Sequence, residues 1–76
     1  MRILELMRGT MRRQGRPDDL TESSVLSEIG FRSLDFSEVA LRIEQQVGHE
    51  LNFDAGLLRQ IRTVADVVNF LLRAAE

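Results

Sequence analysis

Apolar residues recur along this chain at helical rather than strand spacing, and four segments carry the pattern. In the first, Ile3, Leu4, Met7 and Met11 follow one another at i, i+1, i+4 and i+8, which is one face of a helix. Gly15 and then Pro17 predict its end, a left-handed cap followed by a residue that cannot continue the helix. Residues 16–32, RPDDLTESSVLSEIGFR, read as a long connection rich in Asp, Ser and Thr. Leu20, Val25, Leu26 and Ile29 are predicted to pin it to the core. A connection of this length in so small a domain is usually functional.

The second predicted helix runs from about Ser33 to Val47, with Gly48 as its stop. Phe36, Val39, Ala40, Ile43 and Val47 form its core stripe. At about 100° per residue, Leu34 and Leu41 fall together on nearly the opposite side, beside Glu38 and Gln45. The core cannot claim that pair. They are either ordinary surface leucines or an apolar contact surface rimmed by polar groups. A short third helix is predicted in NFDAGLLRQI, with Asp54 as cap and Leu57, Leu58 and Ile61 inward. The fourth opens on a capping-box-like pair, Thr63 and Asp66, and continues through Val64, Val67, Val68, Leu71 and Leu72 on one stripe. The pattern therefore predicts an all-α fold: a small four-helix bundle of three longer helices and one short one, with a long loop between the first two.

Composition narrows the class. Seventy-six residues make a single domain, 1–76, near the size at which one core becomes marginal without staples. There is no cysteine, and hence neither a disulfide nor a cysteine-based metal site. Hydrophobic residues at 43% and charged residues at 29% fit a folded soluble chain. Glu5 and Arg8 interrupt the apolar residues at the N-terminus, so no signal peptide is read there and a cytoplasmic setting is expected. The net charge of −2 hides an asymmetry. Residues 1–16 hold five arginines against Glu5 alone, a net +4, while residues 17–76 hold five against eleven acids, a net −6. Arg8, Arg12, Arg13 and Arg16 are candidates for nucleic-acid contact, but they lack interleaved aromatics and read more simply as a solvated helix face.

Catalytic equipment is sparse. His49, the one histidine, sits in a predicted turn with no sequence partner and reads as a surface residue. Asp35 and Glu38 share a helical face but have no evident apolar pocket to separate their pKa values, so they read as surface charge. No glycine-rich phosphate cradle, HExxH or CxxC is present. The unmodified polypeptide is predicted not to be an enzyme. Ser33 has two readings. It suits a helix cap, because a serine there accepts otherwise unpaired amide hydrogens. It equally suits a phosphate ester, because the same amides and the positive end of the helix dipole favour an anion, with Gly30 keeping the turn open.

Three ordered stretches resemble the acyl carrier protein family. Its members show LG-x-DSL-x-x-VEL, then GIEIPD, then TVGDVVNYI. This chain has EIGFRSLDFSEVALRIEQQVGHELNFD followed by IRTVADVVNFL, a likeness covering roughly residues 24–72. The resemblance implies that Ser33 is the attachment site of a 4′-phosphopantetheine arm derived from coenzyme A. The arm's thiol would then stand in for the absent cysteine and carry an acyl or aminoacyl group as a thioester. It also implies a recognition helix on which Asp35, Glu38 and Glu44 match commonly acidic positions and Leu34 and Leu41 match apolar contacts, with Arg32 beside the site. Implied partners are a phosphopantetheinyl transferase, a ligase or transferase that loads the cargo, and a ketosynthase or other chain-processing enzymes. Nucleic acid and membrane are not among them, and the chain is expected to act as a monomer.

Three departures from the family pattern stand out. Arg32 replaces the usual aspartate before the serine, glutamines occupy positions 45 and 46, and the stretch before the last helix is about two residues longer. They suggest a specialised carrier, of polyketide, peptide or other secondary metabolism, rather than a housekeeping fatty-acid carrier. The rival readings are an unmodified carrier-fold module that works by docking alone, and a small helical nucleic-acid binder.

Overall fold

The computed structural model describes residues 3–51 and 55–75. It is a small all-α bundle whose elements run α1 (Ile3–Arg13), α2 (Leu26–Ile29), α3 (Ser33–Val47), a 3₁₀ helix (Ala55–Gln60) and α4 (Val64–Ala74). Helix α1 buries Ile3, Met7 and Met11, and it packs against both α3 and α4. Thr10 is also fully buried on this face, with its hydroxyl donating to the Leu6 carbonyl at 3.1 Å. The predicted end of α1 is built as a Schellman closure: the Arg16 amide donates to Met11 and the Gly15 amide to Arg12, both at 3.0 Å. Gly15 accordingly sits at φ 70°, which few residues other than glycine adopt at low cost.

The connection predicted over 16–32 contains one turn of helix, α2, that the sequence pattern did not reveal. Its stability is borrowed from the far end of the chain. The Leu26 amide donates to Arg62 at 2.9 Å, the Val64 amide to Ser24 at 3.0 Å and the Ala65 amide to Glu22 at 2.9 Å, with Val25 and Thr63 forming an isolated antiparallel bridge. Leu20 is buried, and Leu26 and Ile29 pack against the core, as expected. Val25 differs: its side chain is 36% exposed, and the backbone bridge rather than burial pins it.

Helix α3 inserts Phe36, Val39, Ala40 and Ile43 into the core, with Val47 partly buried at its edge. The Phe36 and Phe70 rings meet at 5.9 Å between centroids and 59° between planes, a tilted aromatic contact. Gly48 ends α3 at φ 82° with its amide donating to Glu44. In the 3₁₀ segment Leu58 packs against the core, and Ile61 does so just after it. The expected Asp54 cap and the Leu57 side chain lie outside what the structure describes. Helix α4 opens as predicted: Thr63 Oγ1 accepts from the Asp66 amide at 3.3 Å, and Asp66 Oδ2 accepts from the Thr63 and Arg62 amides at 3.0 Å. Val64, Val67 and Leu71 are fully buried and Ala74 continues their stripe, but Leu72, about 100° round the helix from Leu71, is 43% exposed.

Candidate functional site

The site is a tight reversal between α2 and α3. Gly30 closes α2 at φ 74°, Phe31 anchors the chain in the core at 8% exposure, and Arg32 is extended at φ −112°, ψ 174°. Arg32 is therefore the residue that caps α3, and Ser33 is the first residue inside the helix. Arginine has no side-chain acceptor. The amide of Arg32 is held instead by Asp35, whose Oδ2 accepts from it at 2.8 Å. Ser33 thus has no capping role. Its side chain is exposed, and among the described residues its hydroxyl has no hydrogen-bond partner.

Asp35 is where the structure departs most from the sequence reading. An exposed acid was expected, facing partners beside Glu38. Asp35 is instead 4% exposed. Its Oδ1 accepts from Gln14 Nε2 at 2.8 Å and pairs with the Arg16 guanidinium at 2.8 Å, and Arg16 also donates to the Gly30 carbonyl. The last residues of the α1 closure therefore clamp both sides of the Ser33 loop. Burial alone would push the Asp35 carboxyl up, but the Arg32 amide, Arg16 and Gln14 together outweigh it and hold the group below the ordinary carboxylate range. Gln14 and Arg16 were missed by the sequence reading. They lie in the turn after α1 and meet their partner only through the tertiary fold.

The other expected recognition residues lie along α3. Leu34 is 80% exposed and Leu41 55%, on the outer side of α3 as their spacing requires. Glu38 is shared by two arginines, Arg13 at 3.3 Å and Arg42 at 3.6 Å. Glu44 accepts from the Leu51 amide at 2.9 Å and so ties the chain after Gly48 back to α3. His49 is exposed, its Nδ1 2.9 Å from the Glu50 carbonyl oxygen. Among the described residues the basic N-terminal arginines are each engaged within the chain: Arg8 with Glu5 and the Leu20 carbonyl, Arg12 with Asp18, Arg13 with Glu38 and Arg16 with Asp35.

A cleft of about 590 Å³ opens beside Ser33. Its walls come from Leu26 of α2, Phe31 just before α3, Phe36 in its first turn, Leu58 and Ile61 around the 3₁₀ helix, and Val67 of α4, with the exposed Arg32 and Arg62 also lining it. That volume lies within the range of small-molecule sites. A hydroxyl with no partner among the described residues, held at a helix N-terminus on a clamped turn at the mouth of an apolar cleft, suits a phosphodiester bearing a flexible arm. First-turn amides lack intrahelical acceptors, and the helix dipole favours an anion there.

Fold and site together define a small helical carrier domain. The chain belongs to the family whose model, described as a phosphopantetheine attachment site, matches residues 2–71, and it is thus a phosphopantetheine-bearing carrier of the acyl carrier protein family. The prosthetic group of that family is 4′-phosphopantetheine. No curated protein and no solved structure matches the chain significantly. No helix among the described residues is long and apolar enough to cross a membrane.

Proposed function

We propose that Ser33 carries the arm, and that the chain, a single carrier domain over residues 1–76, holds an acyl or aminoacyl group on it as a thioester for presentation to biosynthetic enzymes. The single observation that supports this most is the Ser33 hydroxyl: exposed, unpartnered among the described residues, and placed one residue inside the helix, after the Arg32 cap position whose amide Asp35 holds. In modification the Ser33 oxygen, giving its proton to the transferase, would attack the pantetheine-side phosphorus of coenzyme A, forming the phosphodiester as the pyrophosphate bond breaks and adenosine 3′,5′-bisphosphate leaves. The new negative charge would then lie beside the first amides of α3 and the Arg32 guanidinium. An aspartate at position 32 would oppose that charge, whereas arginine complements it. When bound, the group supplies the thiol that this cysteine-free chain lacks. The apolar cleft beside Ser33 gives the arm or its cargo a place to fold back, out of water.

The chain itself catalyses nothing in this reading. A phosphopantetheinyl transferase converts it to its active form. A ligase or acyltransferase loads it, and a ketosynthase or other chain-processing enzyme unloads it, in cytoplasmic fatty-acid, polyketide or related secondary metabolism. Leu34 and Leu41 are its apolar contacts with them. Glu38 and Glu44 flank that pair while engaged within the chain, and Asp35, being buried, serves the loop rather than the partner. The test is to offer an acyl-coenzyme A together with a permissive transferase and treat the product with hydroxylamine. The expected outcome is an acylated chain whose acyl group hydroxylamine releases, as it does from thioesters. An unmodified chain, or an acyl bond that survives hydroxylamine, contradicts the proposal.

A further inference from the structure

The middle of the outer face of α3 carries less negative charge than its sequence promises. Of the helix's three acids, Asp35 is 4% exposed and paired with Arg16, while Glu44 accepts from the neutral Leu51 amide and keeps its charge toward the C-terminal end. Glu38, the acid nearest the leucine pair, is shared between Arg13 at 3.3 Å and Arg42 at 3.6 Å. One carboxylate against two guanidinium groups leaves one positive charge in excess. Both arginines stay substantially exposed, at 42% and 40% of their side-chain surface. Arg32, exposed and without an ion pair among the described residues, adds a second cation at the N-terminal end of α3, where it also borders the cleft. At about 100° per residue, Arg42 lies on the α1 side of the line through Leu34, Glu38 and Leu41, the side from which Arg13 reaches across. The leucine pair is therefore bordered by cations along one flank and at one end.

We propose that this face docks partner enzymes whose contact surface is an apolar pocket framed by carboxylates. The proposal rests on the carrier reading and specifies the partner of that same surface. Leu34 and Leu41 would enter the pocket, while Arg13, Arg42 and Arg32 meet its acidic rim. Complementary charge speeds encounter and excludes wrong partners, since like charges brought together across an interface are unfavourable. A partner with a basic rim would meet two uncompensated guanidinium groups and would gain nothing from Glu38 without displacing the arginines already on it. The net +4 of residues 1–16 acquires a use here, because α1 delivers Arg13 to the flank of the docking helix.

The experiment compares two phosphopantetheinyl transferases on the full chain, one with acidic and one with basic residues bordering its carrier-docking pocket. The kcat/KM for modification of Ser33 is read from low to high salt. The acid-bordered enzyme is expected to act faster and to slow as salt rises. Arg13→Glu and Arg42→Glu, made separately, are each expected to lower its kcat/KM by roughly tenfold and to raise that of the base-bordered enzyme. Arg42→Gln should move both in the same directions by less, which guards against a folding defect in either reversal. Leu34→Ala should slow both enzymes. The proposal is overturned if the wild-type chain favours the base-bordered enzyme, or if the reversals leave the acid-bordered enzyme unchanged while Leu34→Ala still slows it. Modification by neither enzyme removes the carrier reading itself, and the proposal with it.

Discussion

Asp35 performs two tasks that a solvent-facing acid cannot. It holds the amide of Arg32, and it binds the end of α1 to the start of α3 through Gln14 and Arg16. Replacing it with asparagine leaves the Arg16 charge without its partner. Because the Arg16 side chain keeps 25% of its surface in water, the loss falls below that of a wholly buried pair, at about 2 kcal/mol at neutral pH by urea unfolding. The pH dependence follows from the direction of the shift. The carboxyl is held below its ordinary value in the folded state, so its contribution is present above the unfolded-state value near pH 4 and is lost as pH falls through the folded one. Stability should therefore fall in acid, with a shallower decline in Asp35→Asn. An equally steep decline would show that other carboxylates carry it. None of this was legible in the sequence, where Asp35 and Glu38 look alike. The difference lies in which side of α3 meets the end of α1, and only the packing of the two helices sets that.

The helices were legible wherever their ends carry their own chemistry. The Thr63–Asp66 box and the glycines after α1 and α3 each act over a few residues, so their meaning survives without tertiary context. Thr63→Ala should cost about 1 kcal/mol of stability. Gly15→Ala should cost about 1–2 kcal/mol from its left-handed backbone alone, since an added Cβ there meets nothing within 4 Å. Thermal melts of both variants check these values, and a neutral result at Gly15 would show that the turn re-forms another way. Helix α2 was illegible for the converse reason. Four residues are too few for a periodic signal, and an isolated turn of that length is unfavourable. Its pairing with Arg62 and Thr63 makes it persist, and those partners lie more than thirty positions away. Ser33 falls between these cases. Its place at a helix start was readable, but that the helix begins at Ser33 itself, with Arg32 in the cap position, was not.

Across the whole molecule, a bundle this small keeps the Ser33 loop in order by tying it from three sides. The end of α1 grips Gly30 and Asp35, the connection carrying α2 is laced to the start of α4, and Phe31 and Phe36 sit in the shared core. The exposed hydroxyl and the apolar cleft are what remains open at the centre of that arrangement. The order of the motifs made the carrier fold readable from sequence, whereas the cleft, assembled from four separate segments, was not. The reading is tested most directly by intact mass after incubation with coenzyme A and a permissive phosphopantetheinyl transferase, with wild type and Ser33→Ala run in parallel. One phosphopantetheine should be added to the wild type and none to the variant, which should keep its thermal stability because Ser33 caps nothing. A wild-type mass unchanged across several transferases, or the same addition on Ser33→Ala, would contradict the account.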